Sequence, residues 1–302
     1  MTLSLTFLGL MAISTLGAAS QSSSLDAQTV FNHFYAVEQL AADMTPRQRD
    51  EAIDKAYRQY LQPFITTANP KDISTENLGT IFREMSTVNF FFLADLTPKM
   101  QSYVEEMHAR SAKTTTYDHD MLAAFVRQRQ FDQARLFAKN YHIDTISSLP
   151  DHIKITPELN GPTELTLSDD GHTLTQEPFV IRKPVDIVVV AHPLCHFSAN
   201  ATAYIEANPK LAKVFATHSQ WVMPQDGSLT LKTVQNWNIA HPTARMSYVY
   251  KYKDWPFVDS WATPTFYFYK DGNLVKKIVG WPPVDGGEGA LLNELQELDL
   301  LK

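Results

Sequence analysis

Residues 186–198 read DIVVVAHPLCHFS, and these thirteen residues carry the main signal for the fold. Its first half, 186–191, is a continuous β-branched run, which is typical of a strand buried on both faces of a sheet flanked by helices. The run ends at 192–194, and apolar residues then recur at helical spacing from Ala199 onward. The pattern therefore predicts that Cys195 lies where a strand passes into the N-terminus of a helix.

A cysteine in that place is expected to be reactive. The helix dipole and the free backbone N–H groups of the first turn stabilise an anion, so we expect Cys195 to have a lowered pKa and to act as a nucleophile near neutral pH. His196 is a candidate for adding positive charge, although it equally fits a solvent-facing position. Cys195 is the only cysteine, so the folded chain has no internal disulfide.

The sequence after this motif predicts a hairpin and a last helix. Residues 261–268, WATPTFYF, place Pro264 at the entrance of an aromatic strand, because proline is excluded from strand interiors. Asp271-Gly272 predicts a tight hairpin turn, and 273–279 is the expected return strand. A helix is expected around 290–301, with four leucines on one face: Leu291, Leu292, Leu295 and Leu298.

This order of strand, cysteine motif, helix, Thr-Pro pair, hairpin and final helix resembles the thioredoxin superfamily over roughly residues 160–302. The pair Thr263-Pro264 is similar to the family's cis-proline, which lies against the active-site cysteine. The stretch 280–283, GWPP, is most similar to periplasmic disulfide isomerases of the Dsb type. The resemblance implies an α/β thioredoxin-like domain, thiol–disulfide exchange, and a peptide groove shaped by Thr263 and Pro264; the sequence indicates no cofactor.

The chain departs from the family pattern in three ways. Ser198 aligns with the family's second cysteine, and Val189 aligns with its buried acid. The interval from Cys195 to Pro264 is long enough for an inserted helix near 229–240. The resemblance therefore implies a monothiol site, with Cys195 as nucleophile tuned by His196 and Ser198. Exchange always passes through a mixed disulfide, which an outside thiol would have to release.

Other functions fit the same residues. One is a non-catalytic binding or chaperone module in which Cys195 is dispensable, and another is an assembly scaffold led by the N-terminal helices. A metal cluster of His192, Cys195 and His196 is disfavoured, because a structural zinc site uses four ligands at other spacings. We therefore expect no metal.

Residues 21–145 are predicted to form an all-α helical domain. Thr45-Pro46 and Thr97-Pro98 are helix starts, and 117–129 with 131–141 is a helical hairpin. Part of that hairpin resembles the second helix of a tetratricopeptide unit, so the domain is expected to be either a helical bundle or a set of such hairpins. Its role is either to pack against the rest of the chain or to bind a partner. The residues expected to face inward are Phe125, Phe131, Ala134, Leu136 and Phe137. Proline punctuation and a hairpin pattern at 164–175 place the boundary between 145 and 160, so that 146–302 is the thioredoxin-like domain.

The N-terminus and the charge indicate location and partners. An apolar run at 3–16 followed by small residues at 17–20 is typical of a secretory signal peptide, residues 1–20, which predicts a periplasmic or secreted protein with no membrane span after cleavage. The alternative interpretation of this run is an uncleaved anchor. Net charge is -7 without a basic run, which argues against a nucleic-acid partner. Protein thiols or disulfides, or low-molecular-weight thiols, are the expected partners.

Overall fold

The structure, a computed structural model, describes residues 26–40, 43–92, 94–143, 149–282 and 287–301. The chain divides into two units, Met1–Ala68 and Asn69–Lys302. The predicted signal peptide lies outside the described residues. The predicted division between residues 145 and 160 stays a prediction, because residues 144–148 are not described.

The first unit is helical, as its apolar spacing predicts. It contains α1 (Ala27–Leu40), α2 (Pro46–Ala56), a π-helical turn (Tyr57–Leu61) and α3 (Gln62–Thr67). Thr45 begins α2 with a capping box: its hydroxyl accepts the Gln48 N–H, and the Gln48 side chain accepts the Thr45 N–H. The rings of His33 and Tyr60 stack at 3.4 Å and join α1 to the π-helical turn.

The second unit begins with four helices, which are α4 (Thr75–Phe90), α5 (Thr97–Ala109), α6 (Thr115–Arg127) and α7 (Phe131–Asn140). Helices α6 and α7 form the predicted helical hairpin. Four of its five predicted inward residues are buried, but Leu136 is 53% exposed, and that prediction is wrong. At 3.6 residues per turn, Ala134 and Ala138 share the buried face, and Leu136 lies on the opposite side.

An eight-stranded mixed sheet follows in the chain, with strand order β1-β3-β2-β6-β5-β4-β7-β8. The strands are β1 (His152–Lys154), β2 (Thr163–Leu167), β3 (Thr173–Pro178), β4 (Val185–Val190), β5 (Ser219–Met223), β6 (Met246–Val249), β7 (Thr265–Lys270) and β8 (Asn273–Val279). Strands β4, β5 and β6 are parallel, whereas β7 is antiparallel to both β4 and β8. The predicted hairpins are confirmed as the antiparallel pairs β2–β3 and β7–β8.

Helices occupy the connections between the parallel strands. Helices α8 (His196–Ala207) and α9 (Pro209–His218) connect β4 to β5, and α10 (Leu231–Ala240) connects β5 to β6. Helix α10 is the helix predicted near residues 229–240. The last helix, α11, spans Gly287–Glu297 and so begins slightly earlier than predicted. Of the four leucines predicted for one face, Leu291 and Leu295 on α11 and Leu298 directly after it are buried, and Leu292 is partly buried.

Strand β4 is an interior strand of the sheet, between β5 and β7, and all six of its residues are buried, as the β-branched run predicts. One of its faces packs Val188 and Val190 into a cluster with Trp255 and Tyr267. Burial of each such aliphatic side chain stabilises the fold by about 1.5–3 kcal/mol. The end of β4 is therefore a rigid base for the residues that follow it.

Candidate functional site

Cys195 lies at the junction of β4 and α8, as predicted. It is the N-cap of α8: its carbonyl accepts the Ala199 N–H at 3.0 Å, and its own N–H donates to the His192 carbonyl at 2.9 Å. An N-cap side chain faces the unpaired N–H groups of the first helical turn. The helix begins three residues earlier than the apolar pattern indicates, which brings those N–H groups closer to the sulfur.

The pKa of Cys195 is lowered, which confirms the predicted direction. Partial burial by itself raises the pKa of this thiol. Interactions with the Thr263 side chain, with the Ser198 N–H and hydroxyl, and with the Phe197 N–H outweigh that effect, although the Cys195 side chain accepts no capping hydrogen bond from the first turn of α8. The thiol also donates to the Thr263 carbonyl at 3.2 Å, a contact that favours the protonated form. Since several donors face the sulfur and only one acceptor does, the balance favours the thiolate.

Ser198 is fully buried beneath Cys195. Its Oγ accepts the backbone N–H of His192 at 3.3 Å. With the oxygen occupied as an acceptor, the hydroxyl proton is left to point toward the sulfur. Ser198 thus has the geometry to stabilise a thiolate, the role predicted for it.

The Thr263–Pro264 pair reaches the same site from the start of β7. The peptide bond between them is cis, as predicted. The Thr263 carbonyl contacts Cys195, and the Pro264 carbonyl accepts the Gly280 N–H at 2.8 Å. The structure therefore brings Cys195, Ser198 and Thr263 together from two separate parts of the sheet.

His196 is a predicted site residue that is not among the causes of the lowered pKa of Cys195. Its side chain is exposed, and its ring lies 3.8 Å from the ring of Phe197. The interactions that lower the pKa of Cys195 come from Thr263, Ser198 and Phe197 rather than from His196. The lowered pKa is thus attributable to helix geometry and neighbouring hydroxyls.

His192 orders the loop before Cys195, a role that sequence reasoning missed. Its Nδ1 accepts the Leu194 N–H at 3.1 Å, so the proton of the neutral ring is on Nε2. Nε2 faces the Asp226 carboxylate at 3.6 Å. Since Asp226 is far away in sequence, no local pattern could have identified this pair.

The surface around the thiol is apolar and open. Leu194 is 66% exposed and Phe197 is 44% exposed, one on either side of Cys195 in the sequence. Among the residues that the structure describes, no three His, Cys, Asp or Glu side chains are grouped to hold a metal ion. No helix in the described ranges has the length and hydrophobicity that a bilayer crossing requires.

Comparison of the chain with protein-family models, curated proteins and solved structures gives no match.

Proposed function

We propose that the sheet-containing part of this chain is a thioredoxin-like domain that performs monothiol thiol–disulfide exchange through Cys195. The observation that carries the proposal is a partly exposed thiol of lowered pKa at a helix N-cap. The strand order β5-β4-β7-β8 supports the fold, with helices between the two parallel strands and a final helix after the antiparallel hairpin.

The reaction proceeds in two exchange steps. In the first, the Cys195 thiolate attacks one sulfur of a client disulfide. A bond forms between Cys195 and that sulfur, the client S–S bond breaks, and the other client sulfur leaves as a thiolate that takes up a proton. In the second, the thiolate of an outside small thiol or protein thiol attacks the client sulfur of the mixed disulfide. A disulfide forms between the outside thiol and the client, and the bond to Cys195 breaks and releases Cys195 again as a thiolate. No net oxidation of the domain occurs.

Each neighbour of the thiol has a role in this scheme. Ser198 and the N–H groups of the first turn of α8 stabilise the attacking thiolate, and Thr263 and Pro264 form the wall against which a client lies. His196 lies at the exposed edge of the site, where it would meet the client rather than the sulfur. An exported location, periplasmic or secreted, is part of the proposal, because disulfide clients persist outside reducing compartments.

Glutathionylation of the single thiol tests the proposal. The protein is incubated with oxidised glutathione, and intact mass is followed against pH. We expect one glutathione adduct per chain, formed faster than on a free cysteine at pH 7, absent in Cys195→Ser, and removed by added reduced thiol. Adduct formation no faster than on an unstructured cysteine peptide would contradict it.

A binding or chaperone module is the second candidate, and the exposed side chains of Leu194 and Phe197 favour it. Such a module would hold an unfolded client on this apolar rim without chemistry. The variant Cys195→Ala distinguishes the two functions, since exchange must then vanish whereas client binding would persist. Replacing Phe197 by Ser would weaken both.

A further inference from the structure

A cleft lies within the Asn69–Lys302 unit, between the turn that joins α6 to α7 and the segment after β6. Its volume is about 450 Å³, which is in the range of small-molecule sites. Arg129 and its neighbours line one side, residues 250–253 line the other, and Phe92 and Asp95 complete the wall. No residue of the thiol site lines it.

Arg129 is the principal charged group of the cleft. It is 7% exposed, and it donates to the Val249 carbonyl at 2.6 Å and to the Tyr250 carbonyl at 2.9 Å. Burial lowers the pKa of Arg129 to about 10, with Asp226 opposing that effect, so the guanidinium remains charged at neutral pH. Among the described residues no carboxylate lies within 4.0 Å of it. A buried charge without an ion-pair partner is costly, and an anionic ligand would offset that cost.

The rim of the cleft adds further positive charge. Lys251 and Lys253 lie on it, and within the described ranges neither forms an ion pair with a carboxylate. Asp95 is the acidic residue of the lining, and its carboxylate is already engaged by the Thr97 hydroxyl at 2.6 Å and the Gln130 amide at 2.7 Å. The cleft thus carries an excess of two positive charges in a chain whose net charge is -7.

We propose that this cleft binds a small organic dicarboxylate. Two carboxylates match the excess of charge, and the guanidinium of Arg129 has five N–H donors, of which three are directed at backbone carbonyls. The rings of Phe92 and Tyr252, with centroids 4.7 Å apart, offer an apolar wall for the carbon skeleton. The proposal does not depend on the chemistry of Cys195.

Tyr252 makes the cleft observable by fluorescence. Its ring stacks on Trp261 at 4.3 Å with an interplanar angle of 15°. A ligand that contacts Tyr252 is expected to change the emission of this tryptophan. Intrinsic fluorescence therefore reports occupancy alongside the heat of binding.

The test is titration of the full chain with succinate by calorimetry and by fluorescence. We expect saturable binding with a Kd on the order of 1 mM or tighter. Lys251→Gln and Lys253→Gln are expected to weaken binding by about two- to fivefold each, as partly exposed charges do. The matched control Lys276→Gln, an exposed lysine on β8, should leave the Kd unchanged. Arg129→Gln should abolish binding, and its circular dichroism spectrum shows whether it is folded.

Four outcomes would overturn the proposal. One is the absence of saturable succinate binding to the full chain. Another is a double variant, Lys251→Gln with Lys253→Gln, that binds succinate as tightly as the parent does. This result can be obtained whether or not Arg129→Gln folds. A loss of succinate affinity in Lys276→Gln equal to that in the Lys251 and Lys253 variants would show that binding depends on the overall charge of the chain and not on this cleft. Acetate or inorganic phosphate binding as tightly as succinate would show an anion site without selectivity for dicarboxylates.

Discussion

Replacing Ser198 by Ala should raise the pKa of Cys195 by about one unit. Ser198 is fully buried, and its hydroxyl is one of the groups that lower the pKa of this thiol. A hydrogen bond to a charged group contributes about 1.5–3 kcal/mol when shielded from water. Since the Cys195 sulfur is partly exposed, we take the lower end of that range, and one pKa unit corresponds to about 1.4 kcal/mol. The Ser198 N–H remains in the variant, so the pKa should not rise further.

The alkylation rate of the thiol with iodoacetamide, measured against pH, gives the pKa directly, because Cys195 is the only cysteine. Below both pKa values the variant has about tenfold less thiolate, but its thiolate is about threefold more nucleophilic, so net alkylation should be about threefold slower. Above both pKa values the variant should react faster. The two rate profiles should therefore cross.

Thr202→Val is the matched control for this measurement. Thr202 lies on the same helix, is 1% exposed, and its hydroxyl has no hydrogen-bond partner. Removing that hydroxyl should leave the pKa of Cys195 unchanged and should not lower the melting temperature. If Ser198→Ala left the pKa unchanged, or if Thr202→Val raised it equally, Ser198 would not be a thiolate donor.

Three further predictions concern the thiol and the fold. Ser198→Cys should form a disulfide between Cys195 and the introduced thiol, and loss of free thiol on oxidation would show it. With a dithiol donor, this variant should reduce a disulfide substrate faster than the parent does. No gain in rate would favour the binding module. Because the pKa of Cys195 is lower in the folded than in the unfolded protein, the unfolded protein binds more protons between the two values. The free energy of unfolding of the parent, relative to that of Cys195→Ala, should therefore increase with pH between these two pKa values. The difference should be complete above the free-cysteine value of about 8.5 and should be lost as pH falls through the folded pKa. Urea unfolding of both proteins at several pH values measures it. Gly272→Ala should destabilise the protein by about 1–2 kcal/mol, because Gly272 has a φ of 88°, whereas Gly289→Ala within α11 should stabilise it by about 0.5–1 kcal/mol.

Local patterns predicted the elements that place the thiol. The β-branched run of 186–191 identified the buried strand β4, and Asp271-Gly272 identified the turn between β7 and β8. These patterns work because a strand buried on both faces admits few polar residues, and because a tight hairpin needs a residue with positive φ. The position of Cys195 at a helix start followed from the end of the β-branched run and from the helical spacing of apolar residues after it.

Long-range contacts were not predictable in this way. The contact of the His192 ring with the Asp226 carboxylate joins residues far apart in the chain, and Arg129 donates to carbonyls more than a hundred residues away. Leu136 was placed inward on hydrophobicity alone, although the turn of the helix directs it outward. The two long-range contacts depend on which elements pack together, which no local spacing encodes, whereas the helical period by itself would have placed Leu136 outward.

The geometry of Ser198 determines how the proposed reaction must finish. The side chain is fully buried with its oxygen occupied by the His192 N–H, whereas Cys195 remains partly open to solvent. A serine hydroxyl cannot accept the second half of a disulfide, so a mixed disulfide on Cys195 has no internal route of release. Release must come from the solvent side, past the exposed side chains of Leu194 and Phe197. The rate of release should then rise in proportion to the concentration of outside thiol, and the client that is held longest should be the one that best covers those two residues.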